Sequence, residues 1–498
     1  MKQLVVVESP TKVKTISKYL GKEYTVMSSK GHVRDLPKKD LGVDVDHNFK
    51  PDYTVMPGKE AVVKDLKKAA KDADVVVLAT DLDREGEAIS WHIKHIIESA
   101  KLKKKPEFKR VVFHEITKHA IEEAFQNSKK INDDLVDAYQ ARRVLDRIVG
   151  YKLSPLLWEK IRYGLSAGRV QSVVVRLIVE REREREKFKS EPYFNFTAKL
   201  DAEDNSSLDA LLWKYEEKSV EEKETLKLFV GDYTYSKTIF QDEKKSESLK
   251  QDFSKHHFVV GDVNKKNVKR KASPPLTTAR LQRQAVNRFG FTSKRAMSAA
   301  QKLYEAGLIT YHRTDSTFLS EDFITASRKY IADQYGKEYI PDKPNLYANK
   351  SKSAQEAHEA IRPSDVTRDL KSPEVKKLAE DQKKIYTLIW RNAVASQMSP
   401  AELMQMRIDV HSHEDKQLAL EKPLCIWRTS GSKVEFAGWM KVAGKQQEDT
   451  LLPDMNISDE LNLEEIVVSS HETQAPPRYT EASLIKDLEK YGIGRPST

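Results

Sequence analysis

Two parts of the chain combine residue types that could carry out chemistry. In the first, Tyr311 and Arg313 lie two residues apart within the run Gly-Leu-Ile-Thr-Tyr-His-Arg-Thr-Asp-Ser at 307–316. A phenol is a nucleophile only when its surroundings lower its pKa or position its target, so this pair alone is better explained as two side chains sharing a surface. In the second part, acidic residues follow two short apolar runs at 4–7 and 75–79; these acids are Glu8, Asp81, Asp83, Glu85 and Glu87.

The two apolar runs indicate where the acids lie. Continuous runs of this length are typical of parallel strands covered on both faces, and ligands of such sheets gather at the carboxyl ends of the strands. We therefore expect both acidic turns to face one crevice, where a cation must offset their repulsion, and hard oxygen ligands favour Mg²⁺. For any single acid, capping of the following helix by Asp81 or Asp83 is an equally good explanation.

Three segments resemble the Toprim domain of bacterial type IA DNA topoisomerases. They are Val-Val-Val-Glu-Ser-Pro-Thr-Lys at 5–12, Ser-Ser-Lys-Gly-His-Val-Arg-Asp-Leu-Pro at 28–37 and Leu-Ala-Thr-Asp-Leu-Asp-Arg-Glu-Gly-Glu at 78–87. Primases and some nucleases also contain this domain, so the later motifs are needed to distinguish these classes from topoisomerases.

The middle of the chain contains two candidate DNA-binding segments. Residues 137–149 read as a helix on which Arg143, Asp146 and Arg147 lie on neighbouring faces, although a solvated, salt-bridged surface is the simpler explanation. A small-residue turn at 164–172 then opens a long helix, and amides at such a helix start, with Arg169 and Gln171 beside them, can hold a phosphate. Both segments resemble the family's contacts to the backbone of a single strand.

A β-rich domain is interrupted by an inserted segment. Alternating apolar residues predict a half-buried strand at 193–200, and further strand-like runs occur at 226–230, 258–263, 404–411, 424–428 and 434–442. Between them, Thr277 and Thr278 are placed to cap a helix that ends at Gly290, and a second helix runs from Thr292 to a stop at Gly307. The β-prone run 308–311 then predicts a strand with Tyr311 and Arg313 on one side. Two helices and a strand suggest a winged helix; a plain helical hairpin is the alternative.

Residues 307–316 closely resemble the active-site strand of type IA topoisomerases, and Gln-Glu-Ala-His-Glu-Ala-Ile-Arg-Pro at 355–363 and Gly-Ile-Gly-Arg-Pro-Ser-Thr at 492–498 match further motifs. His312 departs from the family, where this position is more often methionine or another apolar residue in the topoisomerase I branch and proline in the topoisomerase III branch. The family continues beyond the last motif and usually adds zinc-ribbon modules, so we expect the chain to be a truncated protein or fragment.

The resemblance implies a role for each matched residue. Tyr311 would attack a DNA phosphorus, Glu8 would protonate the leaving 3′-oxygen, and charge would be stabilised by Lys12, Arg313 and His358. Mg²⁺ would be held by Asp81, Asp83, Glu85 and Glu8. The implied DNA-binding residues are His32, Arg34, Arg142, Arg143, Asp146, Arg147, Tyr151 (stacking on a base), Ser166, Arg169, Gln171, Arg495, Ser497 and Thr498.

The expected fold class is multidomain: a Toprim α/β domain, helical domains with winged-helix-like elements and a β-rich arch, together forming a toroid. The expected domains are the Toprim domain at 1–125, with 38–58 packing on the helical base; the first part of the helical DNA-binding base at 126–190; the first part of the arch at 191–270; the inserted domain with Tyr311 at 271–398; the second part of the arch at 399–445; and the second, truncated part of the base at 446–498.

Composition is compatible with this interpretation. The 498 residues carry a formal charge of +10, which suits a polyanionic partner such as single-stranded or negatively supercoiled DNA. One cysteine, Cys425, excludes a multi-cysteine zinc site, and the chain has no Gly-Lys-Ser/Thr phosphate loop, so we expect neither zinc nor ATP. The N-terminus lacks a signal-peptide pattern and no apolar run approaches a membrane span, so we expect a cytoplasmic, nucleoid-associated monomer with no membrane partner.

The sequence thus predicts a type IA DNA topoisomerase, an ATP-independent isomerase that relaxes negative supercoils through a 5′-phosphotyrosyl intermediate. We expect relaxation to be poor in this chain because of the expected truncation. Two other classes stay open at this point: a Toprim nuclease or primase, which forms no protein–DNA adduct, and a DNA-binding fragment without catalytic competence.

Overall fold

The computed structural model describes residues 2–102, 104–202, 206–347, 359–444 and 449–494. Its first unit is an α/β domain with a four-stranded parallel sheet in the order β2-β1-β7-β8. The predicted apolar strands are confirmed, since β1 and β7 are adjacent and buried on both faces. The elements are β1 (Gln3–Val7), α1 (Pro10–Ile16), β2 (Tyr24–Ser28), β3 (Arg34–Asp35), β4 (Val43–Asp44), β5 (Lys50–Pro51), β6 (Thr54–Val55), α2 (Glu60–Lys71), β7 (Val75–Leu78), α3 (Arg84–Glu98), β8 (Glu107–Arg110) and α4 (Lys118–Gln126).

Two long helices follow, α5 (Asp133–Lys160) and α6 (Arg169–Lys187). Helix α5 begins at the N-cap Asn132 and is much longer than the predicted 137–149, because Pro155 is accommodated within it. Apolar side chains of α5, Val144 and Ile148, pack on Leu36, Val43 and neighbouring residues of the β3–β6 loops. Helix α5 therefore packs against the α/β domain through a small hydrophobic cluster.

The β-rich domain is a closed barrel built from both sides of the insertion. Its strand order is β11-β10-β16-β15-β14-β17-β9, and β9 also pairs with β10, which closes the ring. The elements before the insertion are β9 (Pro192–Ala202), β10 (Ser207–Tyr215), β11 (Lys218–Ser219), β12 (Glu221–Lys227), β13 (Asp232–Thr238), α7 (Glu243–Phe253) and β14 (His257–Arg270).

The insertion is helical. Its elements are α8 (Thr278–Phe289), α9 (Ser293–Glu305), α10 (Glu321–Tyr335), a 3₁₀ turn (Lys337–Tyr339), α11 (Pro373–Lys376) and α12 (Glu380–Ser396). The predicted caps are confirmed, since Thr277 and Thr292 accept hydrogen bonds from the first turns of α8 and α9. The predicted strand at 308–311 is wrong: the segment forms an isolated bridge between Ile309 and Pro363, because its neighbours are loops that offer no strand to pair with.

The second half of the barrel differs from the predicted boundaries. Its elements are β15 (Ala401–His413), α13 (Lys416–Glu421), β16 (Cys425–Phe436), α14 (Met440–Ala443) and β17 (Glu460–Glu472), and α15 (Glu481–Lys490) follows. The predicted strands 424–428 and 434–442 are one strand followed by a helical turn. The sequence predicts that 446–498 belongs to the base. However, β17 lies within this range and pairs with β9 from Leu461 to Glu472, so β17 belongs to the barrel.

One hydrophobic core joins the Toprim domain to the insertion. Val7 and Val77 of the parallel sheet belong to the same buried cluster as Leu303, Tyr304 and Tyr311. Within the described ranges, no helix is both long enough and apolar enough to cross a membrane.

Candidate active site

The carboxyl ends of β1 and β7 place Glu8 and Asp81 side by side. Between them lies Lys12 on the first turn of α1, whose ammonium contacts Glu8 Oε1 and Asp81 Oδ1. Lys12 is fully buried. Burial alone would lower the pKa of Lys12, but the charges of Asp81 and Glu8 raise it well above its usual value. The lysine is therefore a fixed positive charge beneath the crevice.

Glu8 and Asp81 respond differently to this shared cation. Burial, and next the charge of Asp81, raises the pKa of Glu8 to about 8. Burial opposes ionisation of Asp81 as well, but Lys12 outweighs it and holds the pKa of Asp81 below its usual value. Glu8 Oε2 is buried and has no hydrogen-bond partner among the described residues. At neutral pH the pair thus contains one carboxylate, Asp81, and one proton-carrying acid, Glu8.

The turn after β7 is held by Arg110, a residue that the sequence analysis did not single out. Its guanidinium donates to the carbonyls of Thr80 (2.9 Å) and Asp81 (2.6 Å) and to Glu87 Oε2 (2.8 Å). Glu87, grouped with the crevice acids by its position in the sequence, faces inward instead and also accepts from the amide of Asn132 (2.7 Å). A lone arginine at the end of a strand carries no sequence signal for this role.

Asp83 connects the Toprim domain to the tyrosine. Its Oδ1 accepts from the amide of Gly86 (2.8 Å) as the N-cap of α3, so the capping explanation holds for this acid. Its Oδ2 accepts from the Tyr311 hydroxyl at 2.7 Å, across 228 residues of sequence. Burial and then the charge of Asp81 raise the pKa of Asp83. Burial, Asp81 and Asp83 likewise raise the pKa of Tyr311 well above 10.

Arg313 lies on the same side of the loop as Tyr311, since both side chains reach Asp83, although the strand predicted to align them is not formed. Its Nη1 lies 2.6 Å from Glu85 Oε2 and 3.4 Å from Asp83 Oδ2. Burial opposes its charge, but Tyr311 and the two acids raise the pKa of Arg313. Glu85 also faces His32, with 3.5 Å between Oε1 and Nε2, and this contact contributes most to lowering the pKa of Glu85 to about 2.

The loop that carries Tyr311 is held in place by a close backbone contact and by hydrogen bonds to neighbouring loops. Gly307 ends α9 with φ +73°, and a Cβ there would lie 2.6 Å from the carbonyl oxygen of Ile116. The Tyr311 amide donates to the His114 carbonyl (2.8 Å), and Thr310 exchanges hydrogen bonds with Arg362 (both 2.9 Å). Arg362 is itself buried and paired with Glu359 and Glu115. The described part of the motif, residues 359–363, thus supports the tyrosine loop, a role that sequence reasoning missed.

Above these groups lies a cavity of about 590 Å³ between the Toprim domain and the insertion. Its walls include Glu8, Asp81, Asp83 and Arg313 on one side and residues of α9 on the other. Tyr311 is 3% exposed. Its oxygen must therefore be uncovered before it can meet a substrate, and the cavity marks where a substrate group would enter.

The predicted DNA-binding residues of α5 are engaged within the protein. Arg143 makes two hydrogen bonds to Asp35 (2.9 and 2.6 Å), and Arg147 donates to the Pro37 carbonyl (2.8 Å) and to the Tyr151 hydroxyl (2.7 Å). The Arg147 guanidinium also covers the Tyr151 ring at 4.8 Å from its centroid. The salt-bridged explanation therefore describes Arg143, whereas Arg147 is buried and bonded to carbonyl and hydroxyl oxygens.

The remaining predicted contacts lie around the start of α6 and on the Toprim loops. Arg169 pairs with Asp146 (2.6 Å), which also faces Arg142 (3.8 Å). Ser166 and Gln171 are exposed before and within the first turn of α6. On the Toprim side, His32 stacks on Tyr139, and Arg34 donates to the Tyr53 carbonyl. His358, Arg495, Ser497 and Thr498 lie outside the described residues.

The site suits a hard cation in the type of its donors. Asp81, Asp83 and Glu85 provide carboxylate oxygens, which Mg²⁺ prefers. In this arrangement Lys12 and Arg313 face those oxygens, and within the described parts of the chain no three His, Cys, Asp or Glu side chains converge as a metal site.

Fold and site together define a class of protein. A Toprim sheet presents an acid, a carboxylate and a lysine to a buried tyrosine that an insertion in a β-barrel supplies. Two family models match the chain. The family model described as DNA topoisomerase matches residues 130–498, and that of the Toprim domain matches residues 3–116.

Relatives are similar throughout the chain. It is 42% identical to DNA topoisomerase 1 of Haemophilus influenzae over 100% of this chain and 58% of the relative, and 44% identical to that of Salmonella typhimurium over 100% and 57%. The solved structure of full-length topoisomerase I from Thermotoga maritima superposes with a TM-score of 0.80 at 36% identity, covering 99% of this chain and 76% of that one. The chain belongs to the bacterial type IA DNA topoisomerase I family, as predicted. It spans a little over half the length of the two curated relatives.

Proposed function

We propose that the chain cleaves single-stranded DNA by transesterification, passes another strand through the gap and rejoins the ends, relaxing negative supercoils without ATP. The observation that carries the proposal is the 2.7 Å hydrogen bond from the Tyr311 hydroxyl to Asp83, beside the Glu8–Lys12–Asp81 cluster. Family membership supports it and argues against a Toprim primase or nuclease. Acting on chromosomal DNA would place the protein at the nucleoid.

The groups of this site account for each bond and each proton of the cleavage step. The Tyr311 oxygen bonds to phosphorus as the bond from phosphorus to the 3′-oxygen breaks. Asp83 already accepts the phenol hydrogen bond and is placed to take its proton, while Glu8, protonated below a pKa of about 8, supplies a proton to the 3′-oxygen. Rejoining reverses both transfers.

Charge on the five-coordinate phosphorus requires nearby cations. Lys12 is fixed within the crevice, and Arg313, one-third exposed, can exchange Glu85 for a phosphate oxygen. His358 is proposed for the same task on the strength of its motif alone. Mg²⁺ would be held by Asp81 and Asp83 with Glu85, and when bound it would position the 3′-hydroxyl for rejoining.

Strand binding is proposed for the outer surface of α5 and the start of α6. Arg142, Arg143, Arg147 and Arg169 now face protein acids or carbonyls, so each would exchange a protein partner for a phosphate. Tyr151 is 37% exposed and would offer its ring to a base. His32, Arg34, Ser166, Gln171, Arg495, Ser497 and Thr498 complete the proposed contacts.

The test is a covalent adduct on end-labelled single-stranded DNA. After denaturation, the protein should remain attached to the 5′ end created at the break, and Tyr311→Phe should abolish the attachment. Tyr330→Phe is the matched control, since Tyr330 is also in the insertion and donates to an aspartate, Asp369, at 3.3 Å. Cleavage without an adduct would indicate a nuclease, and binding without cleavage would indicate a catalytically incompetent fragment; either result contradicts the proposal.

A further inference from the structure

His312 stands between the two principal residues of the tyrosine loop and has no role in the cleavage scheme above. It is 1% exposed, and its ring lies 5.3 Å from that of Tyr311 and 6.0 Å from that of Tyr304. Its Nδ1 is buried and finds no hydrogen-bond partner among the described residues. Since a buried polar atom without a partner lowers stability, the unmet hydrogen bond suggests a ligand.

The surroundings of His312 indicate which ligand that is. The residue lines the cavity together with Glu8, Asp81 and Arg313. Burial lowers the pKa of His312 to about 3, so its imidazole is neutral and carries one N–H donor. A group that meets the Tyr311 oxygen enters next to this ring, whose centroid is 5.3 Å from that of Tyr311.

The two cations near the phenol are already engaged. Lys12 contacts Glu8 and Asp81, and Arg313 pairs with Glu85. These cations attract a phosphate by charge, whereas a neutral N–H adds a directed hydrogen bond. Among the side chains of the tyrosine loop, His312 is therefore the donor that needs no exchange of partner.

We propose that His312 donates a hydrogen bond from Nδ1 to a non-bridging oxygen of the phosphodiester that Tyr311 attacks. The inference rests on the proposed function for the identity of that phosphate. It makes His312 a substrate-binding residue of this chain at a position where the wider family more often carries an apolar side chain.

The test measures binding and needs no covalent step. In the Tyr311→Phe background, fluorescence anisotropy gives the affinity for single-stranded oligonucleotides in which one neutral methylphosphonate is moved through successive linkages. His312→Met should weaken binding of the unmodified strand about fivefold, the value of one hydrogen bond. The loss should vanish when the methylphosphonate occupies one particular linkage, because that linkage no longer presents the same oxygens.

Two further variants separate contact from structure. His312→Asn places an amide N–H near the position of Nδ1 and should retain affinity within about twofold. His411→Met is the matched control: His411 in β15 also has a buried Nδ1 without a partner among the described residues, but it belongs to the barrel. It should leave binding unchanged at every linkage.

The outcomes are separable. If His312→Met weakens binding equally at all linkages, or not at all, the inferred contact is wrong. If the effect is linkage-specific yet the wild-type chain forms no adduct, His312 binds the strand and the proposed cleavage is what fails.

Discussion

Among single residues, burial and the neighbouring charges together decide the ionisation of each acid. Asp81 and Glu85 face cations and keep a lowered pKa, whereas burial, and next the charge of Asp81, raises the pKa of Glu8 to about 8. Asp83 accepts the phenol and also has a raised pKa. The four carboxyl groups at this sheet edge thus divide into two with a lowered pKa, Asp81 and Glu85, and two with a raised pKa, Glu8 and Asp83.

The proton on Glu8 yields a prediction for pH dependence. An acid works as a proton donor below its pKa, so the wild-type cleavage rate should fall as pH rises through about 8. Glu8→Gln keeps the shape but not the proton, and should slow adduct formation about 10²–10⁴-fold and remove this decline. Single-turnover adduct formation across neutral and alkaline pH measures both effects.

The control for that series is Glu107→Gln, at the exposed start of β8 in the same domain. It should reproduce the wild-type profile. A Glu8→Gln chain that cleaves at the wild-type rate, or a wild-type rate that stays level through pH 8, would remove Glu8 as the acid.

Much of this residue-level arrangement followed from the sequence because it depends on local spacing. The ends of β1 and β7 place Glu8 and Asp81 together, whereas Tyr311 and Arg313 meet at Asp83 through a loop and not through the predicted strand. The inward turn of Glu87 could not be foreseen, since it depends on Arg110, whose partner is 23 residues away in sequence and meets it only in the fold.

Among the elements, the start of α3 is the most constrained part of the site. A Cβ on Gly86 would lie 2.1 Å from the Asp81 carbonyl oxygen. Gly86→Ala should therefore destabilise this helix start by about 1–3 kcal/mol, the usual cost of overpacking. Hydrogen–deuterium exchange in peptides covering α3 should be faster in the variant.

Gly150 provides the comparison, since it lies within α5 and a Cβ there meets its nearest neighbour, the Ala167 carbonyl oxygen, at 3.7 Å. Gly150→Ala should leave stability unchanged or increase it by up to about 1 kcal/mol through helix propensity. If the two alanine substitutions changed stability equally, the close approach at Gly86 would not be the cause of the destabilisation.

The buried Arg110–Glu87 pair secures the same turn. Both side chains are almost fully buried, so Arg110→Met leaves an unpaired buried charge and should cost about 3–5 kcal/mol. Adding Glu87→Gln should recover part of this loss, because it removes that charge. Chemical denaturation of the two variants, compared with Arg295→Met at an exposed pair worth at most about 1 kcal/mol, measures the difference.

Sequence patterns predicted the secondary-structure elements correctly where one face of the element is buried. They failed where a contact with a distant part of the chain determines whether a strand forms. Alternation in 193–200 predicted β9, and capping threonines predicted α8 and α9. The run 308–311 has strand propensity but no strand beside it, so it remains a loop. Strand β17 was missed because its membership in the barrel depends on pairing with β9, more than 250 residues earlier.

Across the whole molecule, electrostatic attraction should govern strand binding. If Arg169 exchanges Asp146 for a DNA phosphate, Arg169→Ala should reduce the salt dependence of single-strand binding by about 0.7 in the log–log slope. Lys255→Ala, an exposed lysine after α7 that pairs with Asp252, should leave the slope unchanged. Anisotropy titrations at several salt concentrations compare them, and equal slopes for wild type and Arg169→Ala would exclude this contact.

The molecule's architecture explains why the tyrosine needs both halves of the chain. The insertion leaves the barrel after β14 and returns at β15, and between these strands it carries Tyr311 to the Toprim sheet. In the proposed reaction the phenol is the nucleophile, Asp83 accepts its proton, Glu8 is the acid and Lys12 supplies positive charge. The central claim is that Tyr311, and no neighbouring residue, forms the bond to DNA at this interface.

Peptide mapping of the denatured adduct tests that claim most directly. Trypsin cleavage after Lys302 and Arg313 releases residues 303–313, which contain both Tyr304 and Tyr311. Fragmentation of this peptide by mass spectrometry should place a 5′-phosphoryl nucleotide on Tyr311. A nucleotide on Tyr304, on a residue outside this peptide, or on no residue at all would contradict the account.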